Sequence, residues 1–105
     1  MKSSDKEILS QIKEAVLAVD ANAELILFGS RARGDYKEDS DWDVLMLSDS
    51  KIDLTFKNEV TRRLFSVQLE NGATITPVIV NRDNWNTKFK GYPLFREVRK
   101  DGIVI

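Results

Sequence analysis

Phe28-Gly29-Ser30-Arg31-Ala32-Arg33-Gly34-Asp35, followed after Tyr36, Lys37, Glu38 and Asp39 by Ser40-Asp41-Trp42-Asp43-Val44-Leu45, is the stretch that decides the fold. An apolar run over residues 23–28 leads into it and a second, Val44 to Leu47, leads out. Apolar runs this short, bounded by polar turn residues, predict two buried strands over 23–28 and 41–47, with a polar loop between them. Gly29 lets the backbone approach an anion closely, and a short helix starting behind it would aim N–H groups outward. Ser30 adds a hydroxyl donor, and Arg31 and Arg33 add cations that can neutralise phosphate. A glycine-serine pair after an apolar run is more often a plain turn, so this feature alone assigns nothing.

The second half of the stretch adds a pair of carboxylates. Asp41 and Asp43 are two residues apart on a predicted strand, so they share one face while Trp42 and Val44 take the other. Neighbouring unpaired carboxylates repel, and a bound divalent cation turns that cost into attraction; Mg2+ prefers hard oxygen ligands of this kind. In nucleotidyl transfer one cation positions the attacking hydroxyl while a second clamps the triphosphate. The plain alternative is a solvated acidic turn made of Asp35, Glu38, Asp39, Asp41 and Asp43. A calcium loop is excluded, because Val44 stands where its glycine belongs and Ser50 where its bidentate glutamate belongs. Arg33-Gly34-Asp35 spells an adhesion tripeptide, which the turn itself explains.

Outward from this centre the chain alternates helix and strand. Ser4 and Glu7 read as a capping box for a helix over 4–19, with Ile8, Ile12, Ala15, Val16 and Val19 at helical spacing. A second helix runs from an Asp53 cap through Phe56, Val60, Leu64 and Val67 to Asn71-Gly72. Residues 74–80 are β-branched apart from Pro77, which predicts a strand with its proline at an edge or bulge. One or two helical turns around Trp85 follow, then a last helix opened by Pro93 and ended by Gly102. The order α-β-β-α-β-α defines an α/β (α+β) domain over residues 1–105, with helices covering a small mixed sheet.

Composition narrows the chemistry. The 105 residues suit one domain, and the absence of cysteine and histidine excludes disulfides, thiolate or imidazole metal sites and imidazole general bases. The net charge of −1 argues against nucleic acid or an anionic membrane as a partner. Its distribution is uneven: residues 1–50 hold six Lys/Arg against eleven Asp/Glu, and residues 51–105 hold ten against six. Arg62-Arg63 reads as a solvated helix face. The longest apolar runs are strand-sized, far below a membrane span, and the expected location is cytoplasmic.

Gly29-Ser30 with Asp41-Trp42-Asp43 on a strand-turn-helix-strand frame resembles the signature of the DNA polymerase beta-type nucleotidyltransferase superfamily, most closely its minimal prokaryotic branch. The resemblance implies transfer of a nucleoside monophosphate, AMP from ATP in the leading case, to a hydroxyl acceptor. It implies Asp41 and Asp43 as catalytic carriers of Mg2+, with a two-metal site in prospect. Gly29, Ser30, Arg31, Arg33 and Ser40 fall on its nucleotide and phosphate side. Members of this branch act with a separate helical HEPN-type protein, as antitoxins that bind it or add AMP to it. The basic second half, or exposed faces of Trp85 and Phe95, could meet such a partner. One departure is visible: active members place a third carboxylate on a later strand, and residues 73–80 contain no acid. Asp49, Asp53, Glu70 and Asp83 are the nearest alternatives, each at a predicted turn or helix end. Two readings follow, a Mg2+-dependent enzyme and a non-catalytic, antitoxin-like binding module of the same fold.

Overall fold

The computed structural model describes residues 3–105. Its elements are α1 (Ser3–Val19), β1 (Glu24–Phe28), α2 (Ser30–Arg33), β2 (Trp42–Ser48), α3 (Leu54–Asn71), β3 (Ile75–Asn81), α4 (Arg82–Asn86), α5 (Pro93–Asp101) and β4 (Ile103–Val104). The sheet order is β3-β2-β1-β4. β1 runs antiparallel to both β2 and β4, whereas β2 and β3 are parallel, with α3 making the crossover that parallel strands require.

The alternation of side chains along each strand splits the core into two layers. Leu25, Leu27, Trp42, Val44, Met46 and Ile75 pack on Ile12 and Val16 of α1 and on Val60, Leu64 and Val67 of α3. Ile26, Phe28, Leu45, Leu47 and Val80 face the other way, onto Trp85 of α4 and Phe95 and Val98 of α5. A sheet covered on both sides needs continuous apolar strands, which is why 25–28 and 44–47 read as unbroken runs. The expected mixed sheet under helices is the observed architecture.

Several local readings shift. α1 already runs through Ser4, so Ser4 sits inside its first turn and the capping box read there is not the helix start. β2 begins at Trp42, which leaves Asp41 just outside the strand. Asp53 does cap α3, its side chain accepting from the Phe56 amide at 2.9 Å, and Gly72 closes that helix with φ of 62°. Pro77 lies on β3, an edge strand, where a missing N–H costs no ladder bond on the open side. Gly102 ends α5 without a left-handed turn; a side chain there would run into the Val98 carbonyl. The chain then adds β4, a short edge strand that the sequence reading did not contain. Trp85 and Phe95, considered above as exposed partner faces, are instead buried in the second layer, at centroids 5.0 Å apart.

Candidate nucleotide site

The site forms where β1 ends and β2 begins. Phe28, the last residue of β1, pairs with Asp43, and Asp43 pairs on its other side with Thr76 of β3. Cross-strand partners share a face, so Asp43 looks toward the α5 layer, below Phe28 and beside Thr76. Gly29 follows immediately, at φ 75° and ψ −159°, a conformation that essentially only glycine adopts. A Cβ built there would lie 3.1 Å from the Asp43 Cγ and closer still to its Oδ2. The bend and the carboxylate are therefore in van der Waals contact. Gly29 also accepts, through its carbonyl, the amides of Ala32 and Arg33 that start α2, each at 3.1 Å.

Electrostatics identify what surrounds Asp43. Its carboxyl holds its proton above the ordinary aspartate range, first because burial disfavours the charge, then because of the like charges of Asp41 and Glu97; the Arg33 cation partly offsets them. Arg33 is half-exposed and bridges Asp35 and Glu97, at 3.4 Å to each. Glu97, on α5, is not among the residues that the sequence singles out. The only signal for it was the Pro93-started helix, and nothing in that helix's spacing tells that its Glu97 flank meets Arg33.

The two arginines of the motif part company. Arg31 is buried, with 5% of its surface exposed. Its Nε donates to the Ser40 carbonyl and its Nη2 to the Glu38 carbonyl, both at 3.0 Å, and its Nη1 lies 3.6 Å from Asp5 Oδ1. The guanidinium sits 4.0 Å from the centroid of Trp42 and 4.8 Å from that of Tyr36, whose hydroxyl donates to Asp5. Trp42 points to the sheet face opposite Asp43, so Arg31 is spent on fastening the 34–41 loop rather than on phosphate. This departs from the expectation for Arg31. Ser40 takes part in the same clamp: its Oγ accepts from the Lys37 amide at 2.8 Å. Asp5, which the sequence reading also passed over, anchors the clamp from α1.

The strand expected to bear a third carboxylate presents Thr76 at the position beside Asp43. The alternatives named from sequence are occupied or elsewhere: Asp49 pairs with Arg82 at 3.1 Å, Asp53 caps α3, Glu70 lines a groove between α1 and α3, and Asp83 is exposed in the first turn of α4. Among the described residues, no three acidic side chains gather closely enough to hold one ion. Asp43 at the glycine bend, with the like charge of Asp41 near it, offers hard oxygen donors of the kind Mg2+ takes when it arrives with a triphosphate, since that ion takes one or two carboxylates and fills its remaining positions with water and phosphate oxygens. A cavity of about 420 Å3 opens on the Trp42 side of the loop, lined by Asp5, Arg31, Asp39, Ser40 and Thr74 but not by Asp43.

A two-layered α/β sheet that brings a glycine-serine bend onto a strand-borne aspartate is the geometry of a nucleotide-transferring domain. Residues 6–96 match the nucleotidyltransferase domain family model, and the chain belongs to that family. Two proteins of Methanocaldococcus jannaschii that bear the provisional name protein adenylyltransferase are similar to it. One is 32% identical over 90% of this chain and 93% of its own length, the other 35% identical over 72% and 79%. A crystal structure of a provisionally named nucleotidyltransferase from Sulfolobus solfataricus covers 99% of this chain and 86% of that one with a TM-score of 0.56; at 22% identity it supports the fold alone.

Proposed function

We propose that this domain is a Mg2+-dependent adenylyltransferase that moves AMP from ATP to a hydroxyl group on a protein. The observation that carries the reading is the contact between the Gly29 bend and the Asp43 carboxylate, which brings a glycine turn and an acidic side chain to one point. The provisional names of the two archaeal relatives favour ATP and a protein acceptor. A HEPN-type helical protein is the acceptor that the family resemblance puts forward.

In this reading Asp41 and Asp43 hold Mg2+, which when bound neutralises the triphosphate and the departing pyrophosphate. Gly29 and Ser30 cradle phosphate oxygens, and Arg33 supplies a cation at the rim. Arg31, Ser40 and Asp5 fix the loop that carries Asp41. The acceptor oxygen forms a bond to the α-phosphorus as the bond from that phosphorus to pyrophosphate breaks, and the hydroxyl proton leaves to a carboxylate or water. Thr76 beside Asp43 favours a second reading, in which the domain binds nucleotide and partner without turnover, because a missing carboxylate slows such chemistry by orders of magnitude.

The test is incubation with ATP labelled at the α-phosphate, Mg2+ and a HEPN-type helical protein. Label on the acceptor together with released pyrophosphate, both lost in Asp43→Asn, supports the enzyme. Equal turnover by Asp43→Asn overturns it, and metal-dependent nucleotide binding without any transfer selects the second reading.

A further inference from the structure

Four of the ten Lys and Arg residues of the second half gather in one place. Lys90, Arg96, Arg99 and Lys100 line a shallow open groove of about 490 Å3 whose floor is Phe95. Arg96, Arg99 and Lys100 are exposed, and the Arg99 guanidinium stands 5.8 Å from the Phe95 ring. Of the seven arginines in the chain, Arg31, Arg33, Arg62, Arg63 and Arg82 each have a carboxylate within 4 Å. Among the described residues Arg96 and Arg99 have none, and both lie in this groove.

Helical geometry separates this patch from Glu97, the α5 residue that meets Arg33 beside the candidate site, while keeping both on one helix. Phe95 and Val98 face inward. At 100° per residue, Glu97 falls on one flank of α5, where it meets Arg33, Arg96 and Arg99 fall on the other, and Lys100 lies on the outward face between them. An acidic ligand over Arg96 and Arg99 would therefore lie across α5 from Glu97, the residue that meets Arg33.

We infer that the α5 groove docks an acidic segment of the acceptor protein, holding it beside the nucleotide site. The inference rests on the protein-acceptor reading above. The charge pattern favours a peptide over nucleic acid. Four cations around one aromatic ring suffice for a few Asp or Glu side chains, whereas a phosphate backbone continued toward the reaction centre would meet Glu97, Asp35, Asp41 and Asp43.

The experiment titrates a fluorescein-labelled Glu-rich peptide containing one Tyr into the whole chain, without ATP or Mg2+, and reads anisotropy. Arg96→Glu/Arg99→Glu is expected to weaken binding about tenfold or more, and added salt to weaken wild type. Lys90→Glu/Lys100→Glu, on the same groove, is expected to act in the same direction and guards against misfolding of the first variant. Arg62→Glu/Arg63→Glu on α3 is expected to leave binding within about twofold. Equal binding by wild type and both groove variants overturns the inference, as does no binding at all. Displacement of the peptide by a single-stranded oligonucleotide at lower concentration also overturns it, in favour of nucleic acid. Because the readout needs no nucleotide, failure here leaves AMP transfer standing, and failure of transfer leaves peptide docking standing.

Discussion

Gly29 and Asp43 meet across the end of the β1–β2 ladder so closely that residue 29 has no room for a side chain. The bend is also held at a positive φ, so two independent constraints select glycine there. Gly29→Ala is expected to strain the backbone by about 1–3 kcal/mol and to push the Asp43 carboxylate aside. Thermal unfolding should show the loss, and Mg2+-nucleotide stabilisation should disappear with it. An alanine variant that keeps wild-type stability and nucleotide response would show that the contact is incidental.

Arg31 should behave as a structural residue. Its planar fork serves two carbonyls and Asp5 while stacking between Trp42 and Tyr36, a combination that lysine cannot reproduce. Arg31→Ala leaves buried acceptors unmatched and is expected to cost about 2–4 kcal/mol; Arg31→Lys should recover little of it. Chemical denaturation measures both. Arg33→Ala, at an exposed ion pair, is expected to change stability by less than about 1 kcal/mol while weakening nucleotide binding.

A pH effect follows from Asp43. Its carboxyl is raised from the ordinary value of 3.8, so ionising it costs more in the folded chain than in the unfolded one. That cost is fully present above the raised value and vanishes as pH falls below 3.8. Asp43→Asn is therefore expected to unfold at a higher temperature than wild type near pH 7, with the advantage fading in acid. Glu97→Gln should remove part of the same cost. Thermal scans across pH test this, and a destabilised Asp43→Asn at neutral pH contradicts it.

The elements were legible because both layers of the core write themselves into spacing: Val60, Leu64 and Val67 at helical steps, and residues 25–28 and 44–47 as runs buried on both faces. The meeting of Gly29 and Asp43 was legible because both sit at the joined ends of two neighbouring strands. What the sequence concealed was tertiary. Nothing in the spacing says that Arg31 turns back under its own loop to Trp42, that Asp5 of α1 receives it, or that Glu97 from α5 reaches the rim. β4 escaped for a related reason, since two residues make a strand only when β1 offers an open edge.

Asp53→Ala tests the part of this reading that depends least on the site. The side chain caps α3 through the Phe56 amide, so its loss is expected to cost about 1 kcal/mol and to leave nucleotide binding unchanged. Denaturation and binding measured on the same sample separate the two effects.

In the proposed function Asp41 and Asp43 share one Mg2+-nucleotide with the Gly29–Ser30 bend. Calorimetric titration with Mg2+ and an ATP analogue whose α,β-bridge is a methylene group tests it without turnover. Wild type is predicted to bind only when the metal is present, and Asp41→Ala and Asp43→Ala are each predicted to lose that binding while remaining folded. Metal-dependent binding of undiminished affinity in both variants would show that these two aspartates do not hold the metal.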